Sequence, residues 1–169
     1  MKTFREIHPE SVSRSPIDMI GRDWMLITSG SMDSYNTMTA SWGGMGFLWN
    51  RPVVFCFVRP ERYTYGFMEK NELFTLSFFE EKYREALNFC GAKSGRDHNK
   101  AAEAGLSPRV TADGTVFFDE SVLYYECRKI YFHDLDRSRF LDPSIEKNYQ
   151  NTGLHRMYVG EIVHCLAGK

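Results

Sequence analysis

Six segments of the chain carry the residue choice of β-strands, and no helical pattern in it is long enough to compete with them. VVFCFVR (Val53–Arg59) is almost continuously apolar and β-branched or aromatic, the pattern of a strand buried on both faces. LFTLSFF (Leu73–Phe79) and the long SVLYYECRKIYFHDL (Ser121–Leu135) read the same way, and HRMYVGEIVHCL ends the chain with another strand. Nearer the start, WMLITSG ends on a glycine–serine turn and TMTASW follows it. Helices are few and short. YTYGFMEKN makes about two turns. EKYREALNFCG sets Tyr83, Ala86, Leu87 and Cys90 on one face with Gly91 as its stop, and DHNKAAEAG offers Asp97 as N-cap and Gly105 as stop. Many strands with short helices in the connections predict a mainly β fold, a closed or nearly closed barrel decorated by helices.

With 169 residues the chain is most simply one domain, residues 1–169, able to bury a full core. A net charge of −1 supplies no basic field and argues against nucleic acid as the main partner. Cys56, Cys90, Cys127 and Cys165 lie far apart, without CxxC or Cys/His metal spacing, so no metal site is expected and reduced thiols of a cytoplasmic protein are the economical reading. MKTFREIHPE has no apolar leader core, and no apolar run reaches membrane-spanning length. Neither GxGxxG nor GxxxxGK[ST] occurs, which removes the standard signatures of a Rossmann or P-loop nucleotide site.

Three stretches could carry chemistry. NTMTASWGG (Asn36–Gly44) passes without a charge, alternates small hydroxyls with Met38, Ala40 and Trp42, and ends on two glycines. A planar ring with polar edges needs that combination of apolar wall, small hydroxyls and approachable backbone, although a crowded barrel strand would also use it. VRPERYT brings Arg59, Arg62 and Thr64 together at a strand end and helix start, and CGAKSGRDHNK gathers Lys93, Ser94, Arg96 and Lys100 around a glycine. Either loop alone could be a solvated turn. Two of them in a near-neutral chain point to a phosphorylated ligand held from two sides.

NTMTASW, RPVVFCFVRPERYTYGFMEKNELFTLSFF and SGRDHNKAAEAGL, in that order, resemble the flavin reductase-like family of FMN-binding split barrels, particularly its flavoredoxin-like branch. The resemblance runs from about Ser11 to HRMYVGEIV and implies a six-stranded Greek-key barrel, a homodimer and FMN near the interface. It implies that Thr39, Ala40, Ser41 and Trp42 line the isoalloxazine edge, and that Arg59, Tyr63 and Thr64 reach the phosphate or ribityl chain. It further implies that Ser94, Gly95, Arg96 and Lys100 meet the cofactor from the second loop, and that His155 lies near the flavin and nicotinamide. Asn99 stands where the family commonly has an acidic residue.

The function so implied is an NAD(P)H-dependent flavin oxidoreductase that passes electrons through FMN to an acceptor, which could be a redox protein. The flavin would supply the redox chemistry, and no side-chain nucleophile is required. A carrier without its own nicotinamide site and a non-enzymatic FMN- or haem-binding module are the rivals. His8, His98, His133 and His164 lie in the N-terminal arm, a helix start and strand patterns, where a lone histidine is an ordinary surface or core residue. Cys90 is the one thiol near a candidate site, and a redox role for it would need access and electropositive surroundings.

Overall fold

The computed structural model describes residues 2–169. Its strands are β1 (Phe4–Glu6), β2 (Met25–Ser31), β3 (Ser34–Ala40), β4 (Gly43–Leu48), β5 (Arg51–Val58), β6 (Leu73–Phe78), β7 (Pro108–Val110), β8 (Val116–Phe118), β9 (Leu123–Asp134) and β10 (Arg156–Gly168). The α-helices are α1 (Pro16–Asp18), α2 (Tyr63–Lys70), α3 (Arg84–Ala92) and α4 (Lys100–Glu103), and short 3-10 turns include Pro143–Tyr149. The main antiparallel sheet runs β3-β2-β6-β9-β10-β5-β4, and β7 pairs with β8 apart from it.

Strands β3 and β4 stand at opposite ends of that order, yet only Ser41 and Trp42 join them. In a flat sheet the two ends would be about 29 Å apart, since neighbouring strands are ~4.8 Å apart. Three Cα steps reach only about 11 Å. The sheet therefore has to curl until its ends meet, leaving an unpaired seam at Ser41–Trp42. A second discontinuity lies along β10. One edge of β10 pairs with β9, while the other is divided between β5 at Arg156–Glu161 and β1 at Leu166–Gly168. This is a split barrel.

Sequence pattern explains the packing. Met25 and Ile27 enter the barrel interior with Val54, Cys56, Val58, Phe74, Leu76, Tyr125 and Tyr158. Leu26, on the opposite face of β2, packs outside against Leu87, Cys90, Ala101 and Phe118. Strand β2 is thus buried on both faces, and α3 covers it with the stripe read from the sequence. Thr39 Oγ1 donates to the Leu87 carbonyl at 2.5 Å, tying α3 to the edge strand as well.

Two helix boundaries differ from expectation. Helix α3 runs through Gly91 to Ala92, because the missing Cβ lets its last turn lie against Thr39. The N-cap of α4 is Asn99, whose side chain accepts from Ala102 N–H, and not Asp97, which lies in the turn started by Ser94. Gly105 does end that helix, in the left-handed region. Strands β1, β4, β7 and β8 carry no alternation or apolar run long enough to have been read. Among the described residues no helix is long and apolar enough to cross a membrane.

Gly160 lies at a register shift of β10, where an added Cβ would sit 2.5 Å from Phe74 Cζ and 3.1 Å from Cys127 Cβ. Phe74 is fully buried and cannot swing into solvent. Gly160→Ala should therefore destabilise the barrel by ~1–3 kcal/mol, the usual cost of overpacking. Urea unfolding measures it, and an unchanged midpoint would mean that the bulge absorbs the methyl.

Candidate functional site

The seam opens onto a cleft of about 350 Å³ lined by Met38, Thr39, Ala40, Ser41, Trp42, Phe57, Arg59, Arg62, Asn148 and His155. Strand β3 is paired on one side only, with β2. Its other edge therefore offers free backbone N–H and C=O groups toward the seam. Met38, Ala40, Trp42 and Phe57 supply the apolar wall.

A smaller hollow of about 110 Å³ adjoins it and shares Met38 and Arg62. Its other walls include Glu61, Tyr63, Thr64, Lys93, Ser94, Gly95, Arg96 and Lys100. Gly95 is held against β3 so closely that a side chain there would collide with Asn36. Arg96 lies over the Tyr63 ring at 5.0 Å. Pro60 ends β5, and Arg62 begins α2 as its N-cap, so the two arginines leave the same short turn.

Several polar groups are already engaged. Thr64 Oγ1 accepts from Asn36 Nδ2 at 2.7 Å, and the buried Lys100 Nζ donates to the Cys90 carbonyl at 2.8 Å. Burial holds Lys100 down at about 8. Arg62 donates to the Gly91 carbonyl at 2.8 Å, so two cations cap the C-terminal end of α3. Arg59 is different. Among the described residues its guanidinium makes no hydrogen bond or ion pair.

His155 closes the base of the connection between β9 and β10, where Leu135 N–H donates to its carbonyl at 3.0 Å. Its ring lies 5.2 Å from Trp42 and 5.5 Å from Tyr149 between centroids, and its Nδ1 shares a hydrogen bond with Tyr149 Oη at 3.0 Å. Phe140 stacks on the same tyrosine. Burial, then the charge of Arg59, pushes His155 down to about 4, with Glu61 opposing and Arg62 adding a smaller push in the same direction. Glu61 is itself held as a carboxylate, its Oε1 accepting the Gly153 N–H at 2.5 Å.

The flavin reductase like domain family matches residues 18–169. The chain belongs to the flavin reductase-like family. Solved structures with the same fold include an FMN-binding domain of flavin reductases-like enzyme from Shewanella baltica, 15% identical with a TM-score of 0.71 over 98% of this chain and 78% of that one. Flavoredoxin of Desulfovibrio vulgaris is 20% identical, with a TM-score of 0.67 over 95% of this chain and 76% of that one. A 2-nitrobenzoate 2-nitroreductase from Pseudomonas fluorescens is 17% identical, with a TM-score of 0.65 over 92% and 67%. A search of curated protein sequences finds no match.

The residues that the family resemblance singled out fall into the two adjoining hollows. Thr39, Ala40, Ser41, Trp42, Arg59 and His155 border the larger one, and Tyr63, Thr64, Ser94, Gly95, Arg96 and Lys100 the smaller. Arg59 stands on the His155 side, and Arg62 is the guanidinium common to both. Phe57, Asn148 and Tyr149 were not anticipated. Phe57 sits in a strand that reads as uniformly buried, and the other two come from a connection with no motif. Cys90 is fully buried and its thiol is pushed up to about 11, so it offers no thiolate.

A pH dependence follows from His155. In the folded chain it stays neutral down to about 4, whereas an unfolded histidine protonates near 6.5. Between those values the unfolded state binds more protons, so this residue's contribution to stability is lost as pH falls through that window. Urea unfolding from pH 7 to pH 4 should show a shallower acid loss in His155→Gln than in the parent. Identical slopes would mean that His155 titrates normally in the fold.

Proposed function

We propose that the chain binds FMN across the two hollows and passes electrons from NAD(P)H through it to an acceptor, as a flavin oxidoreductase. The observation that carries this reading is a net positive field beside an apolar slot. Arg59, Arg62, Lys93 and Arg96 border the hollows with one carboxylate, Glu61, which is spent on the Gly153 amide. The field is strong enough to help keep His155 neutral. An anion joined to a flat, polar-edged ring is the ligand that uses both features.

The donor set fits such a cofactor. Backbone groups along Thr39–Trp42 would hold the heterocycle's edge, Met38, Trp42 and Phe57 its face, and the Ser94–Arg96 turn with Arg62 the phosphate. Bound FMN supplies hydride and electron transfer chemistry, while the chain supplies position and polarity. Edge-strand N–H groups would favour negative charge on a ring held there, and Tyr149 Oη holds the His155 imidazole in place at 3.0 Å. Neutral His155 would orient the nicotinamide. Four buried free thiols accord with a cytoplasmic location.

FMN should bind more tightly than riboflavin, because charge-assisted contacts to phosphate are worth ~1.5–3 kcal/mol each. Arg62→Ala, which removes the guanidinium common to both hollows, should weaken FMN by tens-fold, about 2 kcal/mol, and Arg59→Ala, on the His155 side, should weaken it less. His155→Ala should keep FMN yet slow its anaerobic reduction by NADH or NADPH by up to about 10²-fold. Flavin fluorescence titration and stopped-flow absorbance read the two effects. Equal affinity for both flavins would remove the phosphate site. Bound FMN that neither nucleotide reduces would leave an electron carrier served by a redox protein.

A homodimer is part of the same proposal. Phe47 and Trp49 on the β4–β5 hairpin and Tyr131 and Phe132 on β9 are exposed, with Trp49 5.8 Å from Tyr131. These aromatics make a surface suited to pairing between two copies. Light scattering should give twice the chain mass at micromolar concentration, and a monomer mass would withdraw the dimer.

A further inference from the structure

We propose that Asp113, Glu126 and His164 form a binding site for a divalent transition-metal ion of the zinc class, apart from the proposed FMN cleft. Asp113 lies in the turn between β7 and β8, Glu126 on β9 and His164 on β10. Glu126 and His164 are directly opposed in the β9–β10 ladder, so their side chains share one face. One ligand atom from each of the three residues lies within 4.8 Å of the others. The sequence offered no sign of this, because the ligands come from three distant segments and form no spacing motif.

Glu126 is the observation that points to a ligand. Its residue is 1% exposed, and it lines a cavity of about 510 Å³. Thr111 Oγ1 donates to its Oε1 at 2.5 Å, while its other oxygen accepts no hydrogen bond among the described residues. That second oxygen is not closed off from the cavity, so it is available to a cation that enters there.

His164 is oriented as metal-binding histidines are. Its Nδ1 is 2.7 Å from Glu6 Oε1, which fixes the ring, and its Nε2 faces Asp113 Oδ2 at 3.6 Å. A carboxylate behind one ring nitrogen with the other turned to the site is the usual outer arrangement of such ligands. Donors on an ion with ~2.0–2.1 Å bonds are about 3.4 Å apart in tetrahedral geometry, so the observed pair needs little adjustment.

The charge balance also calls for a cation. Glu6, Asp113 and Glu126 surround one imidazole, and none of them is paired with a lysine or arginine among the described residues. The two nearby cations are committed elsewhere. Lys2 Nζ donates to the Ser121 carbonyl, and Arg109 to Asp119 and the Lys2 carbonyl. One imidazole and two carboxylates suit zinc-class ions better than magnesium or calcium, with the cavity admitting water to complete the shell. Bound there, the ion would pin the β7–β8 turn to the barrel.

The test uses the full, tag-free chain after chelator treatment, titrated with zinc chloride by calorimetry and followed by thermal unfolding. One ion per chain should bind, and at hundredfold excess over Kd the Tm should rise by roughly 5–10 °C. Asp113→Asn, on an exposed turn that cannot compromise the core, and His164→Gln should each weaken binding by about tenfold or more. Cobalt(II) should give visible d–d bands that Asp113→Asn changes. Absence of zinc binding, undiminished binding in both variants, or an equal Tm rise with magnesium chloride would overturn the proposal.

Discussion

The two-residue link between β3 and β4 is the constraint on which the rest of the structure depends. Ser41 and Trp42 join strands that hydrogen bonding puts at opposite ends of the sheet. The sheet must curl, and it cannot seal where it meets, because neither edge strand pairs with the other. An edge normally exposes backbone groups that invite aggregation. Here the same unpaired groups face a cleft walled by Trp42, Phe57 and the β9–β10 connection. Closure of the barrel and creation of the site are one geometric event.

Electrostatics then decides what the cleft can hold. Arg59 and Arg62 leave the same turn, and burial, then the neighbouring Arg59 charge, pulls Arg62 below its ordinary value. Arg62 relieves part of this by capping α3, whereas Arg59 makes no hydrogen bond or ion pair among the described residues. Nearby Glu61, held on the Gly153 amide, opposes part of this field at His155, yet burial and the two arginines still keep the imidazole neutral. The neutral imidazole and the unpaired guanidinium are therefore linked consequences of one arrangement. A site balanced internally would have no such call for an anionic ligand.

Much of this was legible in the residues. The long apolar strands declared themselves through composition, and α3 through its 3.6-residue stripe. Site residues were legible where an odd local chemistry marked them: an uncharged hydroxyl-rich strand, arginines after a buried strand, a cationic glycine loop. Engagement was not legible. Thr39 and Thr64 read as free hydroxyls, but one is given to Leu87 and the other to Asn36. Lys100 read as a ligand contact, and it borders the smaller hollow with its Nζ already donating to the Cys90 carbonyl. Tyr149 lies in a stretch whose role is set by which ring it meets across space, and no local pattern encodes that.

Strand β10 shows why net charge is a poor guide to such a protein. His155 just before it and His164 near its other end read alike in sequence. Burial and two arginines push the first down to about 4, while Glu6 and Asp113 raise the second. A chain of net charge −1 thus carries a positive field at its seam and a negative one where β1, β9 and β10 converge. The opposing fields cancel in the total, and each acts over about a Debye length, roughly 8–10 Å at ordinary salt. The near-zero sum argues against a broad polyanion such as nucleic acid, yet it is silent about small ions. Two compact sites of opposite sign can coexist on one barrel because water screens each from the other.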